Sequence, residues 1–437
     1  MRRAVFAIAC VASSAAALAG CGSKKRQGRT SDAAPIEEIK PMALVDGAPP
    51  SSGPAEIEPN DGDEVATPLA LGATMRGAID PETDVDHFRI DVPAAGVLAV
   101  EVATGDGDII VELEDANGTV LARSDRSGAK VREGFPNYGV QPGRYVVVVK
   151  GKRPPAPKGR TPPKPPPGPI ATYEILAQLG KLAPNAEREP DDDRGTANEL
   201  ILGETGTGFI GWDKDTDVWK LSTEAVSANN AVHVELSPVE GLAFTLELSD
   251  GVGAPILTRK GPRGAGLFVR DYVPNLPPGA PPYNYITVRA DRSNPEVAYQ
   301  LHIAQKVPQT DAEIEPNDSP ERPYPIPPDR TVVHATWSAG DVDCFAVAPE
   351  DGARTLEATV DVPPEADLRV ELHVDGKLAG KADKPGKGVA EKITGQVPAK
   401  GRAVVCVRGA DIAGEASYDL NIRDLPAAKQ PHQSHQP

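Results

Sequence analysis

The chain is short of aromatic residues, 4% of 437, and has only four cysteines. After the first twenty residues it contains no apolar run long enough to cross a bilayer. Scarce aromatics count against avid ligand capture on ring surfaces, and Trp212, Trp219 and Trp337 all lie near a repeated motif rather than in a cluster of their own. Catalytic signatures are missing too: no H-E-x-x-H, no G-x-S-x-G, no Walker loop. Nor is there a C-x-x-C or a cysteine–histidine group with zinc spacing. His87, His233, His302, His334 and His373 share no repeat position with a serine or cysteine partner, so a triad has no support. Basic residues are the minority, 46 Lys and Arg against 63 Asp and Glu, for a net charge of −17. Long-range repulsion therefore disfavours nucleic acid and acidic headgroups, whereas divalent cations suit the charge.

What the chain does have is 46 prolines and 42 glycines, which favour short strands and many turns over long helices. It also has a two-part motif in three copies. The first half is Glu56 to Asp61, Glu187 to Asp192 and Glu313 to Asp318, spelling E-[IR]-E-P-[ND]-D. The second half is an Asp-x-Asp leading into a strand-like run, at Asp84/Asp86, Asp215/Asp217 and Asp341/Asp343. From Pro59 to Asp86, Pro190 to Asp217 and Pro316 to Asp343 the separation is 27 residues each time. An invariant spacing between diverged segments predicts one folded unit used three times.

Behind each motif come β-branched runs bounded by turn formers, such as 97–102, 109–113 and 145–149, then 232–236, 244–248 and 285–288, then 356–360, 368–374 and 404–407. Each copy closes on a tyrosine-led run, at Tyr173, Tyr299 and Tyr418. The predicted fold class is all-β: three tandem antiparallel β-sandwiches, jelly-roll-like, spanning 55–181, 182–307 and 308–424. A proline-rich stretch at 153–169 is read as a stiff solvated insertion into the first sandwich. Gly206-x-Gly208-x-x-Gly211 spells a dinucleotide fingerprint but has no βαβ context. Counting back from the motif aspartates, Gly208 falls with Gly77 and with His334. Identical carboxylate pairs in three units speak for scaffold geometry over a glycosidase site, and Asn117-Gly-Thr119 carries no weight as a glycosylation acceptor here.

Arg2 and Arg3 precede an apolar stretch, Ala4 to Ala19, ending in Leu18-Ala19-Gly20-Cys21. This resembles a bacterial lipoprotein signal (1–20) with its lipobox, which implies Cys21 as the lipid-bearing first residue of the mature chain. Residues 21–54 then read as a disordered tether and 425–437 as a disordered tail, with His432 and His435 solvated. Gly22 and Ser23 in place of an aspartate would direct such a protein to the outer membrane. Cys344 and Cys406 remain, each in a strand-like run, and in an oxidising envelope they read as one disulfide worth about 3–4 kcal/mol for its loop length.

Each unit resembles the bacterial pre-peptidase C-terminal domain and the related collagen-binding domains of clostridial collagenases, through the E-x-E-P-[ND]-D opening, the Asp-x-Asp-x-[FW] strand and the closing tyrosine strand. In calcium-binding members of that family the two acidic segments carry metal ligands. The resemblance implies Glu56, Glu58, Asn60, Asp61, Asp84 and Asp86 in the first unit, and Glu313, Glu315, Asn317, Asp318, Asp341 and Asp343 in the third. In the second it implies Glu187, Glu189, Asp191, Asp192, Asp215 and Asp217, with Asp191 departing from the asparagine of the other two. Calcium accepts six to eight oxygens with little angular demand, so carboxylates from two segments suit it. Strand alternation places Asp86 in line with Phe88 and Ile90, at the rim of the core, where its charge needs a partner. Structural calcium and a turn-capping role for the aspartates both remain open. The function expected is that of a non-catalytic, lipid-anchored envelope protein, a binding, adhesion or scaffold array for a polysaccharide or protein ligand. The alternatives are an accessory to a secreted peptidase or an enzyme with an unfamiliar site. Oligomeric state is left open.

Overall fold

The computed structural model describes residues 53–425 apart from 127, 153–167, 228, 275–278, 410–411 and 413. The expected leader, Cys21, the tether up to residue 52, the insertion at 153–167 and the tail past 425 lie outside the described residues. Among the described residues the helical content is one 3-10 turn, Thr223–Ala225. None of the helices there is long and apolar enough to cross a membrane.

Strand alternation explains the elements one by one. In β3 (Val85–Val92) the positions of Asp86, Phe88, Ile90 and Val92 are buried while Asp91 is exposed, a period of two. The first unit has eight further strands: β1 (Thr67–Pro68), β2 (Thr74–Ile79), β4 (Gly96–Asp106), β5 (Asp108–Asp115), β6 (Val120–Ser124), β7 (Glu133–Val140), β8 (Gly143–Lys152) and β9 (Ala171–Gly180). They form two sheets, in the orders β1-β3-β8-β5-β6 and β2-β9-β4-β7. The same two orders recur over 198–306 and again over 324–425, giving three pairs of sheets. Each pair encloses its own core, around Phe88 and Ile175, Trp219 and Ile286, and Phe345 and Val405. The chain is thus an all-β protein of repeated sandwiches. One detail departs from a purely antiparallel reading: the short β1 pairs with β3 in parallel, as do its counterparts in the other two units.

Every run predicted from β-branched content lies within a strand. The strands outside those runs include β6, β7 and their counterparts Pro255–Lys260, Leu267–Tyr272, Lys377–Ala382 and Glu391–Val397. All six are edge strands. β7 reads Glu133-Gly-Phe-Pro-Asn-Tyr-Gly-Val140, and an edge tolerates Pro136 and the glycines because one side of it has no ladder to complete.

The register corrects one alignment. Gly77 lies opposite Tyr173 and Gly208 opposite Tyr299, but the partner of Tyr418 is Ala335, not His334. The third unit gains one residue before this strand and loses one after it, so the 27-residue spacing survives while the register moves. The position stays small for a physical reason. A Cβ on Gly77 would stand 2.2 Å from the Tyr173 ring, and one on Gly208 would stand 2.4 Å from the Tyr299 hydroxyl.

Cys344 and Cys406 are cross-strand neighbours and form a disulfide, both fully buried. The bridge closes a loop of 62 residues. The double variant Cys344→Ala/Cys406→Ala is expected to cost the third sandwich about 3 kcal/mol in urea unfolding. A loss below about 1 kcal/mol would show that the unfolded chain is not held by this loop.

Consecutive sandwiches are joined by more than a linker. Trp212, from the second unit, packs into the first core on Phe135 and Tyr138, with ring centroids at 5.9 and 6.3 Å. Ala339 of the third unit enters the second core in the same manner. The opening segment of the second unit lies along β7: Gly139 N–H donates to Glu189 O (2.7 Å) and Glu189 N–H to Asn137 O (3.2 Å). Glu315 pairs likewise with Asp271 and Val273. Gly340, at φ +77°, lies close against the second unit, since a Cβ there would meet Lys260 N at 2.5 Å.

Candidate metal centre

Each motif folds into the same arrangement of two acidic segments. The second aspartate of the pair starts or enters the strand next to the tyrosine-led strand of the facing sheet. Tyr173 donates to Asp86 and Tyr418 to Asp343 (2.5 Å for the latter). Tyr299 donates instead to Glu187 (3.0 Å) and accepts from Trp219 Nε1 (2.9 Å). Burial and the neighbouring carboxylates raise all three tyrosine pKa values well above the usual range, which keeps the hydroxyls as donors. The first aspartate of the pair caps its own turn: Asp84 accepts from Asp80 N–H (2.8 Å), Asp215 from Gly211 N–H (2.6 Å) and Asp341 from Val342 N–H (2.8 Å). In the first two units the capping aspartate is thus distinct from the one that joins the three-carboxylate cluster, whereas in the third Asp341 does both. The proline of the motif follows a cis peptide bond in all three copies.

The three clusters differ in what surrounds them. In the first, carboxylate oxygens of Glu56, Glu58 and Asp86 lie within 4.8 Å of one another. Glu58 is exposed and Asp86 fully buried. Asn60 Nδ2 donates to Glu56 (3.2 Å), and Asp61 reaches the Val85 N–H at 3.4 Å. Glu58, Asp61, Thr83 and Asp84 line an open cleft of about 460 Å³. Burial, opposed by the Tyr173 hydrogen bond, raises Asp86 to about 8.

The second cluster is closed off beneath β7. Glu187, Glu189 and Asp217 gather within 4.8 Å, and Asp191 and Asp215 are buried beside them, none of the five more than 3% exposed. Asn137 of β7 donates to Glu187 (2.5 Å), Asp191 N–H donates to Glu189 (2.8 Å) and Asn198 Nδ2 to Asp191 (2.6 Å). Glu189 Oε1, Asp191 Oδ1 and Asp217 Oδ1 are buried without a hydrogen-bond partner. Among the described residues no Lys, Arg or His makes an ion pair with any of the five. Burial first, then mutual repulsion, pushes Glu189 to about 10 and Asp191 to about 9, and drives Glu187 and Asp217 far up. Asp192, the last residue of the segment, is more exposed and stands outside this group.

In the third, Glu315, Asp318 and Asp341 form the cluster, and a guanidinium sits among them. Arg259 reaches over from the second sandwich to Glu315 (2.5 Å), Asp318 (2.5 Å) and Asp341 (2.7 Å). Its side chain is 1% exposed. Burial works against its charge, but Asp341, Glu315 and Asp318 outweigh that and push its pKa upward. Glu313 and Asn317 stay to one side, with Asn317 Nδ2 donating to Glu313 at 2.9 Å. Asp343 keeps Oδ1 without a partner.

The structure thus brings the two acidic segments together in every unit, and it adds residues that the motif does not contain. The tyrosines had a signal, their fixed place at the close of each copy. Asn137 and Arg259 had none, because they come from the preceding unit and are not repeated.

No family model matches the sequence, and no curated protein matches it. Among solved structures it is similar to a pre-peptidase C-terminal domain of collagenase from Bacillus anthracis, at 20% identity over 27% of this chain and 100% of that one, with a TM-score of 0.20. A secreted protein from Eubacterium rectale shares 10% identity over 56% of this chain and 74% of its own, with a TM-score of 0.19. The N-terminal tandem CBM22 domain from Paenibacillus barcinonensis Xyn10C shares 14% over 47% and 82%, with a TM-score of 0.15. Likeness at this level carries no functional information. What fold and joints define is a class: an all-β protein of repeated sandwiches, coupled end to end through acidic segments.

Proposed function

We propose that the chain is a non-catalytic, lipid-anchored cell-envelope protein whose sandwiches form a stiff scaffold that holds a partner surface away from the membrane, with structural calcium at its acidic segments. The observation that carries this reading is the second cluster: five buried carboxylates, three with unpartnered oxygens, enclosed between two sandwiches. Taking so many charges out of water without compensation is costly, and oxygen-only donors from two segments match calcium. Enclosure beneath β7 also leaves a substrate no approach to that cluster, which supports a structural role over a catalytic one. The ligands proposed are Glu187, Glu189 and Asp217 with Asp191 in the second unit, and Glu56, Glu58 and Asp86 in the first.

The partner is an extracellular polysaccharide or protein. Large exposed hydrophobic side chains among the described residues are all aliphatic, Ile57, Val252 and Val307 for example, while Trp219 and Trp337 are fully buried. Sugar stacking on exposed rings therefore gains no support, and a protein partner is favoured. Small-angle scattering of the full chain in calcium should give a single maximum dimension that lengthens or blurs when the ion is chelated. A profile unchanged by chelation, together with no heat on calcium titration, would reject the calcium-stiffened scaffold.

A further inference from the structure

The three acidic clusters are copies of one arrangement, yet among the described residues only the third contains a cation supplied by the protein. The origin of Arg259 can be traced across the sheet. Asp217 pairs with Val288, Val288 with Leu246, and Leu246 with Arg259. The same path in the first unit runs from Asp86 through Val149 and Val111 to Ser124. In the third it runs from Asp343 through Val407 and Val370 to Ala382. Arg259 therefore occupies a position where the other units have a short side chain. Ser124 is fully buried, and its hydroxyl is engaged with Glu133 at 2.5 Å, so it brings no charge to the second cluster.

A guanidinium nitrogen at 2.5 Å from Glu315 and 2.7 Å from Asp341 lies where an ion coordinated by those oxygens would have to be. Calcium needs oxygens at about 2.3–2.6 Å around it and cannot share that space with a cation already hydrogen-bonded to them. Both are positive charges held by carboxylates at a joint, but only one is exchangeable. Arginine is always charged at ordinary pH and makes directional bonds to more than one carboxylate, which suits it to a permanent role.

We propose that Arg259 is the resident cation of the third cluster, so that the joint between the second and third sandwiches closes without metal while the second cluster takes an exchangeable calcium ion. The inference rests on the calcium reading for the second unit and predicts something different for the third. Calcium depletion then loosens one joint and spares the other, making the chain a scaffold with a single ion-dependent hinge.

Equilibrium dialysis of the full chain against calcium, with bound metal counted by mass spectrometry, tests this. Arg259→Ser, which installs the residue of the first unit, should bind one more calcium ion per chain than wild type. Asp341→Asn should change nothing on the wild-type chain and should remove the extra ion on the Arg259→Ser background. Should Arg259→Ser fail to fold, the Asp341→Asn chain decides alone. An unchanged count supports the inference, and the loss of one ion overturns it. No extra ion in folded Arg259→Ser also overturns it. The underlying calcium reading has its own arm: Asp217→Asn should lose one ion. If it loses none while Arg259→Ser still gains one, the reading of the second cluster falls and the role of Arg259 stands.

Discussion

Arg259→Ala should lower the stability of the chain by about 3–5 kcal/mol in urea unfolding with a chelator present, the range for removing one member of a buried ion network. The loss is large because the arginine leaves behind partners that cannot reach water. Glu315 and Asp341 are 3% and 7% exposed, and Glu313 and Asp343 are buried beside them. Even with the guanidinium in place, burial keeps Asp341 at about 6, and it keeps Glu313, farther from the arginine, at about 8. Adding calcium to the variant should restore part of the loss, whereas calcium added to wild type should leave this joint as it was. A chelated variant within about 1 kcal/mol of wild type would mean that the carboxylates find water or protons at little cost.

Calcium should stabilise the chain more at pH 9 than at pH 6. Burial, and then repulsion among neighbours, raises Glu189 to about 10, Asp191 to about 9 and Asp215 to about 7. A carboxyl with a folded-state pKa above its unfolded value binds a proton more tightly when folded. Its contribution to stability is therefore complete below about pH 4 and is lost as pH rises through the folded value. For this cluster the loss begins above about pH 4 and is complete only near pH 10, so the chelated chain should melt at progressively lower temperature across that window, pH 6 to 9 included. Calcium binds the ionised form and removes the penalty. At a free concentration near a thousand times Kd the gain is about 4 kcal/mol. Asp217→Asn takes one charge from the cluster, so it should flatten the pH slope in chelator and abolish most of the calcium effect. Calorimetric scans at pH 6 and pH 9, with and without chelator, measure both. A chelated melting temperature that rises from pH 6 to pH 9 would contradict the assignment.

Much of the architecture was legible because it depends on local pattern. The central strands carry β-branched runs such as Tyr145 to Val149, since a strand buried on both faces can use little else. The edge strands were not legible. β7, with Pro136 and two glycines, completes a full ladder with β4 alone and takes only the two Glu189 bonds on its other side, so it lies under little pressure to look like a strand. Those same edges receive the next sandwich, so the joints were hidden along with them. His334 shows a second limit. Spacing from a motif places a residue to within one position, and in a sheet one position is the difference between two faces.

That the two acidic segments meet was implied by the resemblance; by itself the sequence determined that one unit recurs three times and that Asp86, in line with Phe88 and Ile90, sits at the rim of the core. Both of the latter follow from alternation and constant spacing, which are properties of a single chain segment. Tertiary structure decided which cluster keeps a charge uncompensated. That balance depends on the side chain a neighbouring domain offers at one sheet position, Arg259 inside the third cluster and the uncharged Ser124 at the matching place in the first unit. They share a place in the sheet but no motif, and electrostatics in a buried site is settled by whatever is within a few ångströms in space, however far away it lies in sequence.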